Sequence, residues 1–175
     1  MQQLKNQPCP VCNANKLNLL EEEYNVPHFG KCYLMAMSCE ACGYKVSDVE
    51  SEEQKEPSRL TFEVKNKKDL NVRVIKSGHA TVKIPTLRMS AEPGAASEGY
   101  ISNVEGVIQR FKKIVEGERD STDDDGVRKT AKNLLKKMWK VELGEVPIKI
   151  VIEDPSGNSA ILSDKTVIEK LKVKK

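Results

Sequence analysis

Cys9-Pro10-Val11-Cys12 and Cys39-Glu40-Ala41-Cys42 decide the reading of this chain. Each motif sets two thiols two residues apart, so that one tight turn aims both sulfurs at a single point. Two such knuckles supply four soft ligands, the set that closes a tetrahedral structural zinc site. Four thiolates leave no open coordination position, so the ion holds a fold and does not catalyse. A redox role needs only one pair in a βαβ setting, which the flanking sequence lacks. Cys9, Cys12, Cys39 and Cys42 are therefore the expected ligands of one Zn2+. Gly43 follows the second knuckle, where the backbone favours a positive φ, and Asn13, which tolerates that region, follows the first.

Between the knuckles, Leu17–Glu23 and Lys31–Ser38 read as two strands. The fifth cysteine, Cys32, shares one face of the second strand with Leu34 and Ala36, which makes it a buried and inert thiol. The strands are joined by Tyr24-Asn25-Val26-Pro27-His28-Phe29-Gly30, a loop with apolar and aromatic side chains at its tip. Loops on a rigid scaffold often carry binding residues, so Tyr24, Val26, Pro27, His28 and Phe29 are candidate partner contacts.

Beyond the zinc module, expected over 1–50, residues 51–58 are polar, end in Pro57-Ser58 and read as a linker. Charge divides there. Residues 1–58 carry 5 lysines against 9 acids, and residues 59–175 carry 24 basic against 17 acidic side chains, within a net charge of +3. The whole chain of 175 residues is 38% hydrophobic, 31% charged and 5% aromatic. No apolar run approaches the roughly 18–20 residues needed to span a bilayer, and the start lacks the apolar stretch of a signal peptide. A reducing, cytoplasmic setting follows as the expectation. An odd count of five cysteines then favours metal over disulfides.

Residues 59–175 open with short strand-like segments: Leu60–Val64, Asn71–Lys76 (alternating apart from Ile75), Ala80–Ile84 and Thr86–Ser90. Near the end, Ile148–Ile152 and Ser159–Leu162 flank the dense turn signal Asp154-Pro155-Ser156-Gly157-Asn158. Short strands with frequent turns predict a β-sandwich or barrel-like body. A helical hairpin over about 102–141 interrupts it. Val104, Val107, Ile108, Phe111, Ile114 and Val115 recur at helical spacing, with Ser102 as the expected N-cap and Glu105 reaching back in a capping box. The polar Gly117–Gly126 connection leads to a second helix with Val127, Ala131, Leu134, Leu135 and Met138 on one face. Asp123–Asp125 precede it, where the helix dipole favours anions.

The second helix also carries Arg128, Lys129, Lys132, Lys136, Lys137 and Lys140. Such a face suits solvent, nucleic-acid phosphates or an acidic protein surface. Trp139, the only tryptophan, lies beside the apolar stripe and is either core or a partner anchor. The sequence has no phosphate loop and no Ser/His/Asp arrangement. Glu153, Asp154 and Asn158 are the residues that would line an enzymatic site in the body.

Several stretches in order resemble the ZPR-type zinc-finger proteins: Cys9–Cys12, Val26–Gly30, Cys39–Tyr44, Asp69–Val74 and the stretch up to Ile84-Pro85. Glu92–Gly94, Ser97–Tyr100, Asn103–Gly106 and Glu153–Ser159 continue the match, which covers nearly the whole chain. The resemblance implies a four-cysteine zinc ribbon followed by a double-stranded β-helix, barrel-like domain carrying the hairpin, so the expected fold is mainly β with an α-helical insertion. Eukaryotic members have two such modules in tandem. One module, as here, is the archaeal pattern. The resemblance further implies a zinc-dependent binding protein rather than an enzyme, with the archaeal counterpart of translation elongation factor 1-alpha as its partner and assistance of that factor's folding as its role. The alternative is a nucleic-acid-binding zinc ribbon in transcription or translation. Asn13 for the usual Gly, Ala95 for the usual Pro, and Cys32 depart from the family pattern.

Overall fold

The computed structural model describes residues 2–26, 30–52, 55–94 and 97–172. Pro27, His28 and Phe29, three of the expected loop contacts, and Ala95 lie outside the described residues. Four antiparallel strands, β1 (Gln2–Pro8), β2 (Asn15–Val26), β3 (Gly30–Cys39) and β4 (Lys45–Ser51), form one sheet in the order β1-β2-β3-β4. The central hairpin runs in register from Leu17 opposite Cys39 to Val26 opposite Gly30. The strands therefore reach further than their alternation suggests, and Tyr24 and Val26 belong to β2 rather than to the loop. β1 is an almost wholly exposed edge strand. It pairs through its backbone and has no buried face to mark it in the sequence.

The body contains two further sheets. β5 (Ser58–Val64), β6 (Arg73–Lys76), β7 (Thr81–Ile84), β8 (Met89–Ala91) and β9 (Tyr100–Asn103) precede the hairpin, and β10 (Ile148–Asp154), β11 (Ala160–Ile161) and β12 (Val167–Lys170) follow it. One sheet has the order β12-β5-β10-β7-β8 and the other β11-β6-β9. β5 pairs with β10 along its whole length, from Ser58 opposite Asp154 to Val64 opposite Ile148. Strands far apart in the chain thus close the body around the insertion. Leu60, Phe62 and Val64 of β5, Val82 and Ile84 of β7, and Ile150 and Ile152 of β10 share one core with Val74 of β6.

The hairpin consists of α1 (Val104–Ser121) and α2 (Asp125–Glu142). Val104, Val107, Ile108, Phe111 and Val115 bury the inner face of α1, and Ala131, Met138 and Val141 that of α2. Both helices continue into the stretch that reads as connection, leaving only Thr122–Asp124 between them. The expected N-cap is also corrected. Ser102 remains in β9, paired opposite Val74, so the extended chain runs one residue further. Asn103 caps instead, accepting from the Gly106 amide at 2.8 Å. Asp124 caps α2 through the Gly126 and Val127 amides. The Thr86–Ser90 strand is corrected as well. Pro85–Leu87 form a 3₁₀ turn and Arg88 takes φ 55°, so the strand starts only at Met89. No helix among the described residues is long and apolar enough to cross a membrane.

The ribbon sheet and the body meet at a tight seam. Val26, Cys32 and Val49 pack with Ile75 in one buried cluster, joined by Leu34, Ile101, Ala160 and Leu162. The break in alternation at Ile75 has its cause here: β6 turns Val74 to the body core and Ile75 to the ribbon. Polar bonds lock the same seam. Gly99 N donates to Ser47 O at 2.9 Å, and Gly78 N donates to Asp48 Oδ1 at 2.8 Å. A Cβ on Gly99 would lie 2.5 Å from Asp48 Oδ1 and 2.7 Å from Val49 N. Gly99→Ala should therefore cost about 1–3 kcal/mol and lower the Tm by roughly 3–10 °C. A thermal melt with unchanged Tm would show that the seam is not closed as tightly as this.

Candidate metal centre

The two knuckles are built alike. Asn13 N donates to Cys9 O at 2.9 Å and Gly43 N to Cys39 O at 3.0 Å. Cys9 N donates to Ala14 O and Cys39 N to Tyr44 O, which starts the outgoing strand in each case. Asn13 has φ 55° and Gly43 φ 72°, so each turn closes through the left-handed region at the residue after its second cysteine. Knuckle one sits between β1 and β2, and knuckle two between β3 and β4. The β2–β3 pairing brings them together.

The four sulfurs lie within 4.8 Å of one another. Cys9 Sγ is 3.8 Å from Cys42 Sγ, and Cys12 Sγ is 3.7 Å from Cys39 Sγ. A tetrahedral ion with Zn–S bonds of about 2.3 Å holds its sulfurs ~3.8 Å apart, so the donor set fits one zinc ion. Cys9 and Cys39 are buried and Cys12 and Cys42 exposed, which places the site at the end of the ribbon. Leu17, with Leu19, Met37 and Tyr44 around it, is the only apolar support of the knuckles among the described residues.

Metal-free, these thiols divide their protons unequally. Burial raises Cys9, but hydrogen bonds from the Cys12 and Val11 backbone and from the Cys39 and Cys12 side chains bring it down to about 7. At Cys42 the Tyr44 amide lowers the pKa, but desolvation and the three neighbouring sulfurs push it up to about 12. Four thiolates at neutral pH require a cation between them.

Among the other sequence candidates, Tyr24 is 40% exposed and its hydroxyl is 3.5 Å from the Arg73 guanidinium. Val26 is 0% exposed in the seam cluster, so its proposed contact role is withdrawn: its side chain joins ribbon to body. Cys32 is the expected buried thiol, with Sγ 3.1 Å from Tyr24 O and its pKa raised by burial. Trp139 is 56% exposed, which takes it out of the core.

Glu153 and Asp154 are each engaged by partners on opposite sides of β10. Glu153 is held by Arg59 and Lys83 on the outer side of β10. Asp154, on the opposite side, is fully buried and accepts from Ser77 Oγ, Ser159 Oγ, Ser156 Oγ and Ser156 N. Desolvation raises its pKa, but these four donors outweigh it and hold the carboxyl below its usual value. Asp154 thus pins the 154–159 turn to the strand-end residue Ser77. Sequence reading missed two further seam residues. Asp48 joins β4 to the Gly78 turn, and buried Lys76 donates to Ser97 Oγ at 3.0 Å and Glu98 O at 3.2 Å. A charged residue in a short alternating strand has no mark of burial until its partners are known.

Residues 2–57 match the model of the ZPR1 zinc-finger domain and residues 68–175 that of the ZPR1 jelly-roll domain. The chain belongs to the ZPR1 family. The jelly roll is the expected double-stranded β-helix, and the zinc-finger match together with the sulfur geometry establishes one structural zinc. An uncharacterised ZPR1-like protein of Pyrococcus horikoshii is 34% identical over 98% of this chain and 78% of its own length. A second, from Methanocaldococcus jannaschii, is 31% identical over 94% of this chain and 83% of its own length. The Schizosaccharomyces pombe ZPR1 relative, named a zinc finger chaperone, is 31% identical over 78% of this chain but only 30% of its own length. The eukaryotic relatives are named zinc finger proteins or, in fission yeast, a zinc finger chaperone; the bovine one is 27% identical over 88% of this chain and 34% of its own length.

Proposed function

We propose that this chain is a zinc-dependent adaptor or chaperone that binds the archaeal counterpart of translation elongation factor 1-alpha and assists its folding in the cytoplasm. The observation that carries the reading is the chaperone name of the fission-yeast relative, joined to a fold built as a rigid presenter. The ribbon core and the seam hold the described part of the β2–β3 hairpin, at Val26 and Cys32, against the body in advance of binding. With this reading goes a division into a ribbon over 1–50, a linker over 51–58 and a body over 59–175. The proposed contacts are Tyr24, Pro27, His28 and Phe29 at the hairpin tip and Trp139 on α2.

Immobilised chain should retain a purified archaeal elongation factor 1-alpha undergoing refolding, and a chelator should abolish that retention. Phe29→Ala with His28→Ala should weaken capture by about 2 kcal/mol, roughly thirtyfold, while zinc content stays at one ion. No capture by zinc-loaded protein would sink the partner assignment. Undiminished capture by the double variant would remove the hairpin tip from the interface.

A further inference from the structure

We infer that the outward face of α2 is a docking surface for an acidic protein segment that inserts an apolar side chain against Trp139. At 3.6 residues per turn, Trp139, Lys132, Lys136, Lys129 and Lys140 fall within an arc of about 100° on one side of the helix. All five are exposed. The four lysines make no ion pair with any described residue, whereas Arg128 is taken by Asp125 and Lys137 donates to Thr86 O. Asp125, the one acid in that arc, lies at the helix start and is occupied by Arg128. Glu142, the other acid of α2, lies outside that arc, one turn on from Trp139, and binds Lys112 and Gln109 of α1. The stripe from Lys129 to Lys140 is therefore unneutralised cation over a length of about 16 Å.

The opposite face of α2 is fixed by Ala131, Met138 and Val141 against the rest of the hairpin. The helix thus has a single orientation, and Trp139 is not left outside for want of a better packing. A large exposed indole with a row of cations along one flank has the composition of an apolar interface anchor beside a charged rim. Charge complementarity selects carboxylates, and the indole selects an apolar anchor between them. A nucleic-acid strand is the poorer fit. Single-strand sites stack successive bases on several aromatics in a positive groove, and this face is convex with one aromatic. The surface stands whether or not the partner is an elongation factor.

Trp139 is the chain's only tryptophan, so its emission reports on this face alone. The zinc-loaded full chain is titrated with a synthetic acidic amphipathic helix free of Trp and Tyr, with leucines on one face flanked by glutamates. The expected result is a saturable shift of emission to shorter wavelength, weakening as salt rises. Lys132→Glu with Lys136→Glu should weaken that binding at least about tenfold, with circular dichroism unchanged. If that pair perturbs folding, Lys129→Gln with Lys140→Gln gives a smaller loss in the same direction. Absence of any shift, equal binding by the variants, or displacement of the peptide by poly(U) RNA at matched salt overturns the proposal. The last outcome would assign the face to nucleic acid.

Discussion

Cys39→Ser is expected to release the zinc and unfold the metal end of the ribbon while the jelly roll stays folded. The size of this effect follows from how little else supports the knuckles. Among the described residues, Leu17 is the one buried side chain besides the cysteines in the cluster at the metal end, and β1 is exposed along nearly its whole length. A structural zinc contributes roughly 10 kcal/mol or more of apparent free energy at neutral pH, which exceeds any packing that this corner supplies. The body, by contrast, has its own core of more than a dozen aliphatic and aromatic side chains, from Leu60 to Ile161. Metal analysis should show loss of the single ion. Amide exchange should open across β1, β2 and the start of β4, with β5 and β10 still protected. Strands near the seam, around Cys32 and Val49, should open least, because they pack on Ile75. A variant that keeps its zinc, or a ribbon still protected without it, would show that the sheet is self-supporting. The same dependence on thiolates makes acid release the metal, since protons compete for the sulfurs.

The zinc site was legible because its information is local: spacing and residue type at Cys9–Cys12 and Cys39–Cys42 suffice. The hairpin was legible for a similar reason, since Val104–Val115 and Val127–Met138 write their period directly into the chain. What escaped was whatever depends on contacts between distant segments. β1 and β12 are exposed edges whose pairing is carried by backbone alone. The extension of β2 through Val26 and the second buried face of β6 both come from the ribbon–body seam, and no single segment encodes a seam. Ile75 did leave a trace, as the one residue out of step in an alternating strand. Asp154 stood out in the sequence for its carboxylate and dense turn. Whether such a group works on a substrate or on the fold is decided by its neighbours, and here Ser77 comes from 77 residues away.

Asp154→Ala is accordingly expected to be the most damaging single change in the body. The carboxylate is fully buried, and both oxygens accept: Oδ2 from Ser77 Oγ at 2.9 Å and Ser159 Oγ at 2.5 Å, Oδ1 from Ser156 N at 2.8 Å and Ser156 Oγ at 2.7 Å. Hydrogen bonds to a charged group contribute about 1.5–3 kcal/mol each, and losing the anion strands three hydroxyls and an amide together. The expected loss is about 3–5 kcal/mol, the range for breaking a buried charged network. Asp154→Asn keeps the shape and one acceptor oxygen, and hydroxyls can rotate to donate or accept, so it should lose less. The turn also carries Gly157 at φ 72°, where a Cβ would lie 2.6 Å from Glu56 O, so a loosened turn frees the segment that leads into β5. Acid should act through the same group. Its folded pKa lies below the unfolded value, so the carboxylate stabilises the fold above about pH 4 and that contribution disappears as pH falls through the lower folded value. Denaturant melts followed by a probe in the jelly roll between neutral pH and pH 2 should therefore show the body losing stability below about pH 4, separately from the acid release of zinc in the ribbon. In Asp154→Asn that part of the acid sensitivity should be missing. An unaltered acid profile in Asp154→Asn would place the decisive carboxylate elsewhere, with buried Asp69 and its Lys165 partner next in line.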